Sequence, residues 1–226
     1  LGRQREAVDA MRASLKAHAN QPELHNNLAN SYQALGDDDL AEQHYREALV
    51  LRPDYVDALK NLGLLLLARR QYDAALQSLE RARRLAPSNA SVLTALGNGY
   101  REQERYDEDI RCYGAALEHR PDYVNALHNI GLSYKLNEDP AEACAWFEKA
   151  SKLAPQRAEI DLNWGNAAFE LGDYDRAEAL YRRAIQKSPG YVLAHETLSE
   201  LQWQLGREDR YTDSYHDALA QRPDDM

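Results

Sequence analysis

Six of the eight prolines in this chain stand 34 residues apart, at Pro53, Pro87, Pro121, Pro155, Pro189 and Pro223. A fixed period of that length signals stacked supersecondary units, each stable only against its neighbours. Other columns keep the same beat. Gly63, Gly97, Gly131 and Gly165 recur at this spacing, and Ala29 and Ser199 extend the series. Leu28, Leu62, Leu96, Ile130, Trp164 and Leu198 precede them. Tyr45, Leu79, Tyr113, Phe147, Tyr181 and Tyr215 form a large column, and Ala48, Ala82, Ala116, Ala150, Ala184 and Ala218 a small one. A second alanine column, at Ala41, Ala75, Ala143 and Ala177, is broken by Asp109 and Tyr211.

Each period reads as two helices. Leu24, Leu28 and Tyr32 lie at helical spacing, Gly36-Asp37 interrupts them, and Ala41, Tyr45, Ala48 and Leu49 resume until Pro53. The small columns predict close approach of the two helices, with the large column filling the space between. Asp37 is placed to cap the second helix, and Asp38 and Asp39 suit its positive end.

Composition then removes whole classes of function. The 27 Lys and Arg against 37 Asp and Glu give a net charge of −10, which argues against a nucleic-acid partner. A 44% hydrophobic content argues against wholesale disorder. Two cysteines exclude a disulfide scaffold; Cys112 and Cys144 read as small buried hydrophobes rather than a bridge. No apolar run approaches the roughly 18 residues of a membrane helix. No two histidines are four apart, no His-Glu-x-x-His occurs, and no phosphate loop or Gly-x-Ser-x-Gly is present. No catalytic residue, metal ligand or cofactor is therefore expected. The unpaired cysteines and the lack of a leader point to the cytoplasm.

The 34-residue pattern resembles the tetratricopeptide repeat over nearly the whole chain. The matching units are residues 22–55, 56–89, 90–123, 124–157, 158–191 and a degenerate 192–226. Residues 1–21 match only a second helix, so the chain reads as beginning mid-repeat. The resemblance implies an all-α, right-handed superhelical solenoid of helix-turn-helix hairpins. Its concave wall would be lined by the first helices, at repeat positions 2, 5, 6, 9, 12 and 13. Seven of the twelve residues at positions 6 and 9 are asparagine: Asn27, Asn61, Asn129 and Asn163, then Asn30, Asn98 and Asn166. Asparagine is a mediocre helix former, so propensity does not account for them. One reading has the amides bonding the backbone of an extended peptide, with position 9 favouring this more. The other has position 6 stitching neighbouring repeats together. Asn-Leu-Gly, Asn-Ile-Gly and Pro-Asp-Tyr-Val resemble the peptide-binding arrays of O-linked N-acetylglucosamine transferases.

Leu64, Leu67, Leu132, Leu136, Leu162, Phe169 and Trp203 fall at inner positions and give that wall an apolar component. The candidate peptide-binding set is the seven asparagines with Leu132, Leu136, Phe169 and Trp203. A basic clamp for a terminal carboxylate is excluded, because position 2 carries Glu23, Asp57 and Glu159 and position 6 carries no Arg. The expected function is a non-enzymatic scaffold that binds a protein or peptide, with no nucleic acid and no membrane. The alternative is a recruiting arm of a larger enzyme, since similar bacterial arrays precede glycosyltransferase, sulfotransferase or 2-oxoglutarate oxygenase domains. Self-association is a third option, through the orphan helix carrying Met11 and Leu15.

Overall fold

The computed structural model describes residues 2–207, with side chains from Arg5 onward. Expectations for Tyr211, Tyr215, Ala218 and Pro223 lie outside the described residues. The fold is all-α, with twelve helices among the described residues. The chain forms two compact units, residues 1–121 and 122–226. The first holds α1 (Gly2–Ala17), α2 (Pro22–Leu35), α3 (Asp38–Leu51), α4 (Val56–Ala68), α5 (Tyr72–Leu85), α6 (Ala90–Arg101) and α7 (Tyr106–His119). The second holds α8 (Val124–Leu136), α9 (Pro140–Leu153), α10 (Ala158–Glu170), α11 (Tyr174–Lys187) and α12 (Val192–Gln204). In the first unit α2 pairs with α3, α4 with α5 and α6 with α7, while α4 touches both α2 and α6. In the second α8 pairs with α9, α10 with α11, α8 touches α10, and α12 packs on α11.

A single turn geometry follows the first helix of each repeat among the described residues. Gly36, Arg70, Glu104, Glu138, Gly172 and Gly206 all have positive φ, between 58° and 81°. The next N–H then reaches back over the helix end: Asp37 to the Tyr32 carbonyl (2.9 Å), Arg105 to Tyr100 (3.0 Å), Asp139 to Tyr134 (2.8 Å) and Asp173 to Ala168 (3.0 Å). This satisfies carbonyls that a helix C-terminus leaves bare. The second helix starts at once. Asp37, Asp139 and Asp173 each accept the N–H three residues on, at 3.3, 3.1 and 3.3 Å.

The prolines set the other end. Arg52, before Pro53, has φ −139° and ψ 92°, and Ser188, before Pro189, has φ −141° and ψ 87°. The pyrrolidine ring crowds the preceding residue out of the helical region, so α3 and α11 stop there.

The core lies between the paired helices. A Cβ placed on Gly63 would sit 2.6 Å from Leu79 Cγ, on Gly97 2.5 Å from Tyr113 Cε1, and on Gly131 2.7 Å from Phe147 Cε1. The small column is small because the large column lies on its backbone. Tyr45, Leu79, Tyr113, Phe147 and Tyr181 are buried to within 1%. Burial of each contributes about 1.5–3 kcal/mol.

One charged cluster is built into the second unit. Asp161 on α10 is fully buried and accepts two hydrogen bonds from Arg183 on α11, at 2.7 and 2.8 Å. The Ser151 hydroxyl on α9 donates to it at 3.0 Å, and Lys187 completes the pairing. Burial alone would raise its pKa; the Arg183 and Lys187 bonds outweigh that and hold the carboxyl below its usual range.

Candidate functional site

The first-helix surfaces carry the asparagines, and the second helices explain part of their presence. The Tyr45 hydroxyl donates to Asn30 Oδ1 (2.6 Å), Tyr113 to Asn98 Oδ1 (2.8 Å) and Tyr181 to Asn166 Oδ1 (2.9 Å). Where repeat position 9 is Leu64 or Leu132, the residue across the hairpin is Leu79 or Phe147, with no hydroxyl to satisfy. The three Asn side chains therefore supply acceptors for buried phenols. Burial pushes the Tyr45 pKa up to about 12 and raises those of Tyr113 and Tyr181 as well. Once the carbonyl oxygen is committed inward, the NH2 is what the amide can offer to a ligand.

At position 6, Asn61 and Asn163 bridge neighbouring first helices. Asn61 Nδ2 on α4 donates to Asn26 Oδ1 (3.1 Å) and Asn30 Oδ1 (3.2 Å) on α2. Asn163 Nδ2 on α10 lies 2.9 Å from His128 Nε2 on α8. Asn27 is exposed, and its backbone carbonyl accepts from the Ser31 hydroxyl at 3.1 Å. Asn129 is half-buried, with its carbonyl accepting from Ser133 at 3.0 Å.

The apolar candidates divide. Leu136 is 51% exposed and Trp203 61%, while Leu132 and Phe169 are half-buried. Leu64 is exposed, but Leu67 is half-buried among core residues of its own unit. Leu162 does not line a wall: it is 2% exposed and belongs to the core. It occupies position 5, and at position 5 Asn26 and His128 meet the next first helix, so this register faces a helix seam.

Within the second unit, α8, α10 and α12 enclose a cavity of about 220 Å³. Its walls include Lys135, Asn166, Phe169, Thr197, Glu200 and Leu201. Lys135 pairs with Glu170 at 3.1 Å, and the Phe169 ring leans on Tyr174 at 5.5 Å between centroids. Amide, aromatic ring and both signs of charge thus share one recess, a lining that suits a peptide side chain with its backbone.

A second constellation stands in the first hairpin. His25 Nδ1 and His44 Nδ1 are 3.0 Å apart, and Glu47 Oε2 is 2.9 Å from the first and 2.8 Å from the second. The His44 ring stacks parallel on Tyr32 at 5.5 Å, and both histidines border a cavity of about 420 Å³ beside α1. Burial lowers the His44 pKa, with His25 and Arg12 acting the same way against Glu47. Glu47 is held low despite burial, by a hydrogen bond from Gln43 and by the two imidazoles. A search for histidines four apart misses this cluster, because its ligands come from two helices. The usable signal was His-x-x-Glu at 44–47 on the helix facing His25.

Comparisons with known proteins place these features in context. Four family models match: "Tetratricopeptide repeat" over residues 20–88, 124–157 and 162–225, and "TPR repeat" over 97–137. The protein O-mannosyl-transferase Tmtc3 of Drosophila melanogaster is 33% identical over 168 residues, covering 74% of this chain and 17% of its own length. The chain spans about a fifth of the length of the curated transferases it matches. Among solved structures, the Cut9-Hcn1 assembly of the APC/C superposes over 99% of this chain and 44% of its own, with TM-score 0.80 at 15% identity. YrrB, described as a TPR protein with an unusual peptide-binding site, covers 84% of this chain and 98% of its own, with TM-score 0.61 at 19% identity.

Proposed function

Because the chain belongs to the tetratricopeptide repeat family, we propose that it is a protein-interaction scaffold whose first-helix walls hold an extended peptide or protein segment. The observation that carries this reading is the recess among α8, α10 and α12, where Asn166 and Phe169 share one cavity. Leu136 and Trp203, on α8 and α12 of the same unit, leave apolar surface in water that a partner would cover. In this reading Asn27, Asn30, Asn61, Asn98, Asn129, Asn163 and Asn166 supply polar contacts to the bound backbone, and Leu132, Leu136, Phe169 and Trp203 receive side chains. The charge of −10 favours protein over nucleic acid. The free thiols Cys112 and Cys144 fit a reducing compartment such as the cytoplasm.

Panning a phage-displayed library of random peptides on the purified chain tests the proposal. Peptides selected by the wild type should bind Phe169→Ala and Trp203→Ala at least about tenfold more weakly. Helicity should stay unchanged in both. Failure to select any peptide, or equal affinity for both variants, overturns it. Asn27→Ala tests the amides separately, since that side chain makes no bond among the described residues.

A second reading rests on the named transferases: the chain would be the recruiting arm of a larger enzyme. A transferase domain encoded in the same reading frame supports it, and a frame without one removes it.

A further inference from the structure

We propose that His25, His44 and Glu47 form a binding site for a divalent transition metal of the zinc class. The three ligand atoms lie 2.8–3.0 Å from one another. Around a tetrahedral zinc with bonds near 2.0–2.1 Å, ligand atoms stand roughly 3.3–3.4 Å apart. An opening of a few tenths of an ångström admits the ion.

The orientation of the His25 ring points the same way. His25 Nε2 faces the Ala19 carbonyl at 3.4 Å, and a carbonyl can only accept. With Nε2 turned to that carbonyl, Nδ1 is the atom turned toward His44 and Glu47. His195, at the same repeat position, makes the same bond to Pro189 at 2.9 Å, so the orientation is a property of that position. Nδ1 of His25 faces the Glu47 carboxylate at 2.9 Å, and Nδ1 of His44 faces the same oxygen at 2.8 Å. One metal ion can be bound by all three atoms, and the Ala19 carbonyl stands where an outer contact orients a ligating imidazole.

The repeat does not demand these residues. Their equivalents in the next hairpins are Leu59, Ser78 and Arg81, then Leu93, Cys112 and Ala115, then Leu127, Trp146 and Lys149. Two imidazoles with one carboxylate suit zinc and its neighbours rather than calcium or magnesium. The cavity that His25 and His44 border also carries Arg12 and Lys16, whose charge would favour an anionic further ligand.

Equilibrium dialysis of the untagged chain against Zn2+, with a chromogenic chelator as competitor, decides the matter. One Zn2+ per chain is expected, with affinity falling at least about tenfold in His44→Ala and in Glu47→Gln. Circular dichroism checks that each variant is folded. Glu47 is 39% exposed, so Glu47→Gln keeps the test valid if His44→Ala does not fold. Absence of binding at micromolar Zn2+, or binding that the folded variants leave unchanged, overturns the site.

Discussion

At Gly97 there is no room for a methyl group, because the Tyr113 ring occupies the place a Cβ would take. Gly97→Ala should cost about 1–3 kcal/mol by urea denaturation, as the ring and helix separate. The opposite sign is expected at Glu104. Its φ of 58° places an L side chain in the left-handed region, at about 1–2 kcal/mol. Glycine relieves that strain but loses about 0.5–1 kcal/mol through a freer unfolded chain. Glu104→Gly should therefore stabilise by about 0.5–1 kcal/mol in the same assay. The glycine column announced its role in the sequence because it alternates with a large column. The left-handed turn did not, since Arg70, Glu104 and Glu138 carry no mark of it. The hydrogen bonds of the turn and the packing of the following helix impose that geometry on whatever residue stands there.

At the scale of elements, α10 is tied to α11 by a buried carboxylate. Asp161→Ala leaves Arg183 and Lys187 without their buried partner and should cost about 1–3 kcal/mol, since Arg183 is 42% exposed and can turn to water. The pH dependence has a definite sign. The folded carboxyl has a lowered pKa, so its contribution is complete above the unfolded value near 3.9. It is lost as pH falls below that value through the folded pKa. Wild type should thus show an acid loss of stability in this window that Asp161→Asn does not share, measured by thermal melts at stepped pH. Helix existence was legible in the sequence because each hairpin repeats the same apolar positions. The clusters of Asp161 and of His25 with His44 and Glu47 were not legible as clusters. They arise where single repeats depart from the shared pattern, and their members meet only when consecutive helices fold against one another.

For the molecule as a whole, the buried tyrosines govern behaviour at high pH. Burial pushes the Tyr45 pKa up to about 12 and raises those of Tyr113 and Tyr181. A raised phenol favours the fold below its unfolded pKa near 10 and loses that contribution as pH climbs through the folded value. Alkaline melts should therefore weaken from about pH 10 upward, and Tyr45→Phe should blunt the decline. The two compact units lead to another expectation: fragments 1–121 and 122–226 should each keep helical circular dichroism when made separately. No helix of the described residues is long and apolar enough to cross a membrane. The pairing of Asn30, Asn98 and Asn166 with tyrosines also constrains how such an array could have diversified. In the hairpin of residues 56–89, Leu79→Tyr alone would bury a hydroxyl opposite Leu64 with no acceptor, at about 1–3 kcal/mol. Leu64→Asn alone alters a side chain that is 37% exposed and costs little. Asparagine before tyrosine is therefore the less costly order, and once both are present removing the asparagine carries that same cost. Each Asn–Tyr hairpin would then record a historical ratchet, in which an innocuous surface change licensed a core change and was locked in by it.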